Sequence, residues 1–177
     1  MRNKPINKTR VLALCSVFSA LGVIILYLGS LIEVIDLSMA VIASLLVIVA
    51  VIEIGGAYPW LIYAVTSVLS FLLLPNKFVA VVYFAFAGFY PILKEKLEKV
   101  KGLICAALKL GVFNLCLLVF WWVSKLFVIP FETLYGIAVT AVILNFIFIL
   151  YDFALTRLIS TYICVWRKKI KIDKWKF

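Results

Sequence analysis

The sequence contains no histidine. That absence removes the side chain that most often serves as a general base and most often ligates a metal. No Walker A, GxGxxG, GxSxG or HExxH pattern occurs either, so nucleotide hydrolysis, dinucleotide chemistry, the nucleophile elbow and the zinc-protease helix have no motif here. The four cysteines, Cys15, Cys105, Cys116 and Cys164, stand in apolar sequence without CxxC spacing, which speaks against a zinc site or a disulfide framework. The acids are scattered, and without histidine no nucleophile–base pair can be assembled from them. No enzymatic activity, catalytic residue, metal or cofactor is therefore expected.

Charge is also scarce. Only 15% of residues are charged, where a soluble domain has about 25%. What fills the chain instead is apolar: 67% of the 177 residues are hydrophobic and the mean hydropathy is +1.21. That excess is too large for one aqueous core. Long apolar segments joined by short turns leave no room for a separate soluble domain, so a single membrane domain is expected. The net charge of +10 would suggest nucleic acid in a soluble protein. Here the basic residues sit at the chain ends and in one internal run, the footprint of membrane orientation and of anionic lipid, and no nucleic-acid partner is expected.

A hydrocarbon core of ~30 Å takes about 20 apolar helical residues. On that ruler the chain divides into six spans, at about 11–29, 37–54, 58–74, 78–93, 103–128 and 135–160, an all-α bundle of six transmembrane helices. Gly55-Gly56 breaks the chain after the second span, Pro59 suits the first turn of the third, and Pro75-Asn76-Lys77 makes a turn after it. Arg2, Lys4, Lys8 and Arg10 precede the first run, but Val11 to Gly29 is longer than the roughly 7–15 residues of a signal-peptide core, so a permanent helix is expected. Backbone polar groups in hydrocarbon must be satisfied internally, by helices or closed barrels. Runs such as Met39 to Ile52 lack the alternation of barrel strands.

Basic loops stay cytoplasmic. With the N-terminus inside, Arg2, Lys4, Lys8 and Arg10, then Lys94, Lys96, Lys99 and Lys101, then Arg167, Lys168, Lys169, Lys171, Lys174 and Lys176 all fall inside, fourteen of the eighteen Lys and Arg. An even number of spans with both termini cytoplasmic satisfies every loop, and the basic tail, 166–177, should meet anionic headgroups.

An ionisable group within a span costs about 2.5–3.5 kcal/mol at the helix centre and marks a site by default. Glu53 ends the second span, and Lys109 lies six residues after Leu103, roughly 9 Å in. The two could pair, as an inner-surface anchor or in a coupling role. Asp152 and Arg157 are five apart, poor spacing for mutual contact, whereas Asp152 shares a face with Asn145 and Thr156. That stripe suits helix–helix hydrogen bonding, or a ligand or proton path. Trp121-Trp122 and Lys125 approach the outer surface, either as an interfacial belt or with one ring turned inward onto a ligand. Ser16-x-x-x-Ala20, and Cys15-x-x-Phe18-Ser19-x-x-Gly22, give the first span small residues that let a helix approach closely, from within the chain or from a partner.

Taken together, the chain resembles the substrate-binding S component of energy-coupling factor (ECF) transporters, the vitamin-uptake systems of many bacteria. The resemblance rests on size, the six-span pattern, Ala13-Leu14 and Ala20-Leu21 after a basic end, Gly55-Gly56-Ala57-Tyr58-Pro59, Leu72-Leu73-Leu74-Pro75-Asn76 and Ala87-Gly88-Phe89-Tyr90-Pro91. It covers most of the chain at the level of pattern. In place of the family's Ala-x-x-x-Ala docking face the first span carries Ser16-x-x-x-Ala20. The resemblance implies a multi-pass protein of the bacterial cell membrane that captures a vitamin-like small molecule from outside, with a coupling membrane subunit and two cytoplasmic ATPases as partners. It implies Ser16 and Ala20 as the docking face, and an outer-side pocket for which Asn76, Trp121, Lys125, Glu132 and Tyr135 are the candidates by location. A second reading is a non-transporting scaffold similar to the rod-shape-determining membrane proteins. A third is a self-contained transporter or enzyme using Glu53, Lys109 and Asp152.

Overall fold

The computed structural model describes residues 8–32, 35–98, 102–126 and 136–166. These form helices and turns, with no strand among the described residues. In chain order they are α1 (Lys8–Leu31), α2 (Asp36–Glu53), α3 (Tyr58–Leu73), α4 (Lys77–Val82), a π-helical turn (Tyr83–Ala87), α5 (Tyr90–Leu97), α6 (Leu103–Leu126), α7 (Ile137–Thr161) and a second π-helical turn (Tyr162–Trp166). The chain forms two compact units, the first running to Cys105 and the second beginning at Ala106.

Four helical stretches are long and apolar enough to cross a membrane: Lys8–Leu31, Asp36–Glu53, the compound segment Lys77–Leu97, and Val139–Cys164. This is compatible with a multi-pass membrane protein. Tyr58–Leu73 is apolar but shorter, at 16 residues, and α6 carries a further apolar stretch, Ile104–Val119. For α3 the reason is local. Pro59 and Pro75 bracket it at 16 residues, about 24 Å of rise against a core of ~30 Å.

In the first unit α1 packs on both α2 and α3. Its inward stripe is Val11, Cys15, Ser19, Gly22, Leu26 and Gly29, steps of three or four residues that keep one side of a helix facing its neighbours. Small residues on that stripe set the spacing. A Cβ on Gly29 would lie 2.7 Å from Met39 Cβ, and one on Gly22 would lie 3.1 Å from Thr66 Cγ2. α2 answers with its own small stripe, Ala40, Ala43, Ser44, Val47 and Ala50. It ends where Gly55 and Gly56 take positive φ, 68° and 64°, with the Gly55 N–H reaching back to Ala50 O at 3.0 Å.

The fourth expected span, 78–93, is not one continuous helix. Gly88 N–H bonds to Tyr83 O, five residues back, at 2.8 Å, and Pro91 has no N–H to continue the ladder. Helical bonding resumes when Ile92 and Leu93 both donate to Phe89 O at 3.1 Å.

In the second unit α6 and α7 run antiparallel, since Lys109 meets Asp152 and Phe113 meets Phe148. The two phenyl rings stack with centroids 4.5 Å apart and planes 8° from parallel. α7 leaves Val142, Phe146, Leu150 and Phe153 exposed, a face stable in hydrocarbon and unfavourable in water.

Candidate functional site

The costliest groups to place in an apolar bundle are its polar side chains, and the second unit gathers them between α6 and α7. Lys109 Nζ donates to both carboxylate oxygens of Asp152, at 2.9 and 3.2 Å. Next along the hairpin is the Phe113–Phe148 stack. Beyond it, Asn114 Nδ2 donates to Asn145 Oδ1 at 3.0 Å and Asn145 Nδ2 donates to Asn114 Oδ1 at 3.1 Å. Each amide spends its remaining N–H on its own helix, Asn114 on Leu110 O and Asn145 on Ala141 O, both at 2.9 Å. The three rungs occupy one face of each helix because 109, 113 and 114, and 145, 148 and 152, recur at near-helical spacing.

The ladder bears on two of the residues and stripes singled out in the sequence. Lys109 has an acidic partner within its own unit, Asp152, which holds it in a two-pronged ion pair. Local spacing could not find this, because the two residues lie 43 positions apart and meet only through the hairpin. The stripe of Asn145, Asp152 and Thr156 does make helix–helix hydrogen bonds through its first two members, while Thr156 Oγ1 bonds back to Asp152 O at 2.8 Å. Arg157 lies over the ring of Phe153, one turn back, at 5.2 Å from its centroid. Chemically the ladder is a lock. Its donors and acceptors are engaged with one another, and an ion pair whose charges cancel is cheaper to bury than either charge alone. Among the described residues no group of three His, Cys, Asp or Glu side chains is placed to hold a metal ion.

The residues expected to line an outer pocket are placed as follows. Asn76 caps α4, its Oδ1 accepting the Phe78 N–H at 3.0 Å, and belongs to the first unit. Trp121 is half-buried on α6, and Lys125 lies in the last turn of the same helix. Glu132 and Tyr135 lie outside the described residues, as do Lys99, Lys101 and the basic tail from Arg167. Ser16 and Ala20 are both exposed on α1, one turn apart, with Ser16 Oγ bonded back to Leu12 O at 3.0 Å.

A second feature escaped the sequence. Tyr63 of α3 donates its hydroxyl to Phe84 O within the first π-helical turn, at 2.8 Å, and its ring sits among Trp60, Tyr83, Phe84 and Phe89. Gly88 makes room for this cluster, since a Cβ there would come within 2.6 Å of Tyr63 Cδ2 and 2.8 Å of Tyr83 Cε1. The density of aromatics in Tyr83–Tyr90 was the available signal; the π turn itself has no signature in residue type.

No family model, curated protein or solved structure matches this chain.

Proposed function

We propose that this chain is the membrane-embedded substrate-binding component of an ECF-type uptake transporter. In this reading it crosses a bacterial cell membrane six times, with α3 as a shorter crossing and both termini cytoplasmic. It captures a vitamin-like small molecule at the outer side, for which Asn76, Trp121, Lys125, Glu132 and Tyr135 are the candidate contacts by their location in the sequence. A coupling membrane subunit and two cytoplasmic ATPases supply the energy, in keeping with a sequence that has no nucleotide-binding pattern of its own. The basic tail adds electrostatic attraction to anionic lipid, about 1 kcal/mol per charge near the surface.

The observation that carries the reading is the division of small residues on α1. Cys15, Ser19 and Gly22 are turned inward against α2 and α3, whereas Ser16 and Ala20 are left open. Side chains that small on an outward face let a second helix approach closely, which is what docking on a coupling subunit requires.

The experiment is co-expression with a coupling subunit and its two ATPases, purification through a tag on this chain, and native mass spectrometry of the product. The expected result is a four-protein complex with one retained small molecule, and loss of the complex in Ala20→Trp without a change in the melting temperature of the isolated chain. A chain that never associates with those partners removes the reading.

A further inference from the structure

Hydroxyl side chains in apolar helices often bond back to a carbonyl of their own helix, and six of those described here do so. Ser16, Ser30, Ser44, Thr140, Thr156 and Ser160 each donate to a carbonyl three or four residues earlier, at 2.6–3.1 Å. Four others do not. The hydroxyl oxygens of Ser19, Thr66, Ser67 and Ser70 are buried and find no hydrogen-bond partner among the described residues. None of the four residues is more than 3% exposed.

Three of the four share α3 and the fourth lies on the inward face of α1. Thr66, Ser67 and Ser70 lie within one turn of α3 and on one side of it, since 66 and 70 are one turn apart and 67 is displaced by a single residue. Ser19 lies one turn from Gly22 on the inward stripe of α1, and Gly22 is where Thr66 packs, its Oγ1 3.4 Å from the position a Cβ would take. A buried hydroxyl without a partner loses more than an ordinary hydrogen bond gains, and each of the four carries that loss.

We propose that Ser19, Thr66, Ser67 and Ser70 form an internal hydration site in the first unit, in which buried water bridges α1 and α3. The chemistry selects the guest. All four groups are neutral and can each donate one hydrogen bond and accept others. Water, which donates two and accepts two and typically makes about three hydrogen bonds when buried, matches such a set. A bare cation would use only the acceptor half and would bring a charge that no carboxylate of this set neutralises. The site stands independently of the transport reading, because it uses the inward face of α1 and not the open face of Ser16 and Ala20.

The test is radiolytic hydroxyl-radical footprinting of the full chain in lipid nanodiscs, read by mass spectrometry. Radicals made from water trapped inside a bundle oxidise adjacent side chains that bulk solvent cannot reach. Ile62, one turn from Thr66, and Leu26, one turn from Gly22, should be oxidised well above Val47, although all three are buried. In the chain carrying Ser19→Ala, Thr66→Val, Ser67→Ala and Ser70→Ala together, labelling at Ile62 and Leu26 should fall to the level of Val47. If that chain does not fold, Thr66→Val and Ser67→Ala singly should each give a partial loss. Equal labelling of Ile62, Leu26 and Val47 in the unsubstituted chain would overturn the proposal, as would labelling that changes when sodium is replaced by choline, which would make the guest a cation.

Discussion

Asn114 and Asn145 exchange amide hydrogen bonds in both directions, at 3.0 and 3.1 Å, so α6 and α7 are fixed at a single register. Each side chain is complete only because the other is there. Asn114→Leu leaves the Asn145 amide with one N–H and its oxygen unmatched, and Asn145→Leu does the reverse. Each single change should cost about 1–2 kcal/mol, while the double change to leucine should cost less than the sum of the two, with a coupling energy of about 1 kcal/mol. A double-mutant cycle by denaturant unfolding in mixed micelles reads this directly. Strict additivity would mean that the pair does not hold the register.

The ion pair at the other end of the ladder carries a larger asymmetry. Lys109→Met leaves the Asp152 carboxylate without its partner in an apolar hairpin, and Asp152→Leu leaves an ammonium there. Either should destabilise by about 3 kcal/mol, whereas the two changes together remove both charges and should recover most of that loss. Melting temperatures from fluorescence-detected size exclusion rank the three variants. A double variant less stable than both singles would contradict the assignment.

Much of this architecture is legible in the residues. The glycine pair at 55 and 56 ends α2 because both positions need positive φ, and Pro59 opens α3 at a position where a missing N–H costs little. The polar stripe on α7 was readable as an interior face, since Asn145 and Asp152 are seven apart and so lie together on a helix. Their partners were not readable. That Lys109 meets Asp152 depends on how α6 and α7 are packed, which short-range periodicity does not encode. The interruption of the fourth span was hidden for a different reason. Tyr83-Phe84-Ala85-Phe86-Ala87 is as compatible with a plain α-helix as with a π turn, and what separates them is the Tyr63 hydroxyl arriving from another helix.

That hydroxyl gives the third prediction. Tyr63→Phe keeps the ring and its neighbours but deletes the donor to Phe84 O. The expected cost is about 1 kcal/mol, typical for one hydrogen bond to a backbone carbonyl. Hydrogen exchange should localise it, with faster exchange in Tyr83–Gly88 and unchanged exchange in α6 and α7. Faster exchange spread evenly over the chain would argue that Tyr63 supports the fold generally and not this turn.

Two glycines separate proximity from propensity. Gly88 has φ −77°, a conformation any residue adopts, so its need for glycine comes only from the rings that crowd it. Gly88→Ala places a methyl 2.6 Å from Tyr63 Cδ2 and 2.8 Å from Tyr83 Cε1, and since the Tyr83 ring is buried it has little room to yield. Overpacking of this kind should cost about 1–3 kcal/mol. Gly111 lies inside α6 with nothing within 4 Å of its Cβ position. There the added methyl meets open space and the helix loses a flexible residue, so Gly111→Ala should stabilise by about 0.5–1 kcal/mol. The opposite signs follow from the same added atom, and thermal unfolding of the two variants side by side checks them. A stabilising Gly88→Ala would mean that the aromatic cluster around the π turn is loosely packed, and the role given to Tyr63 would fall with it.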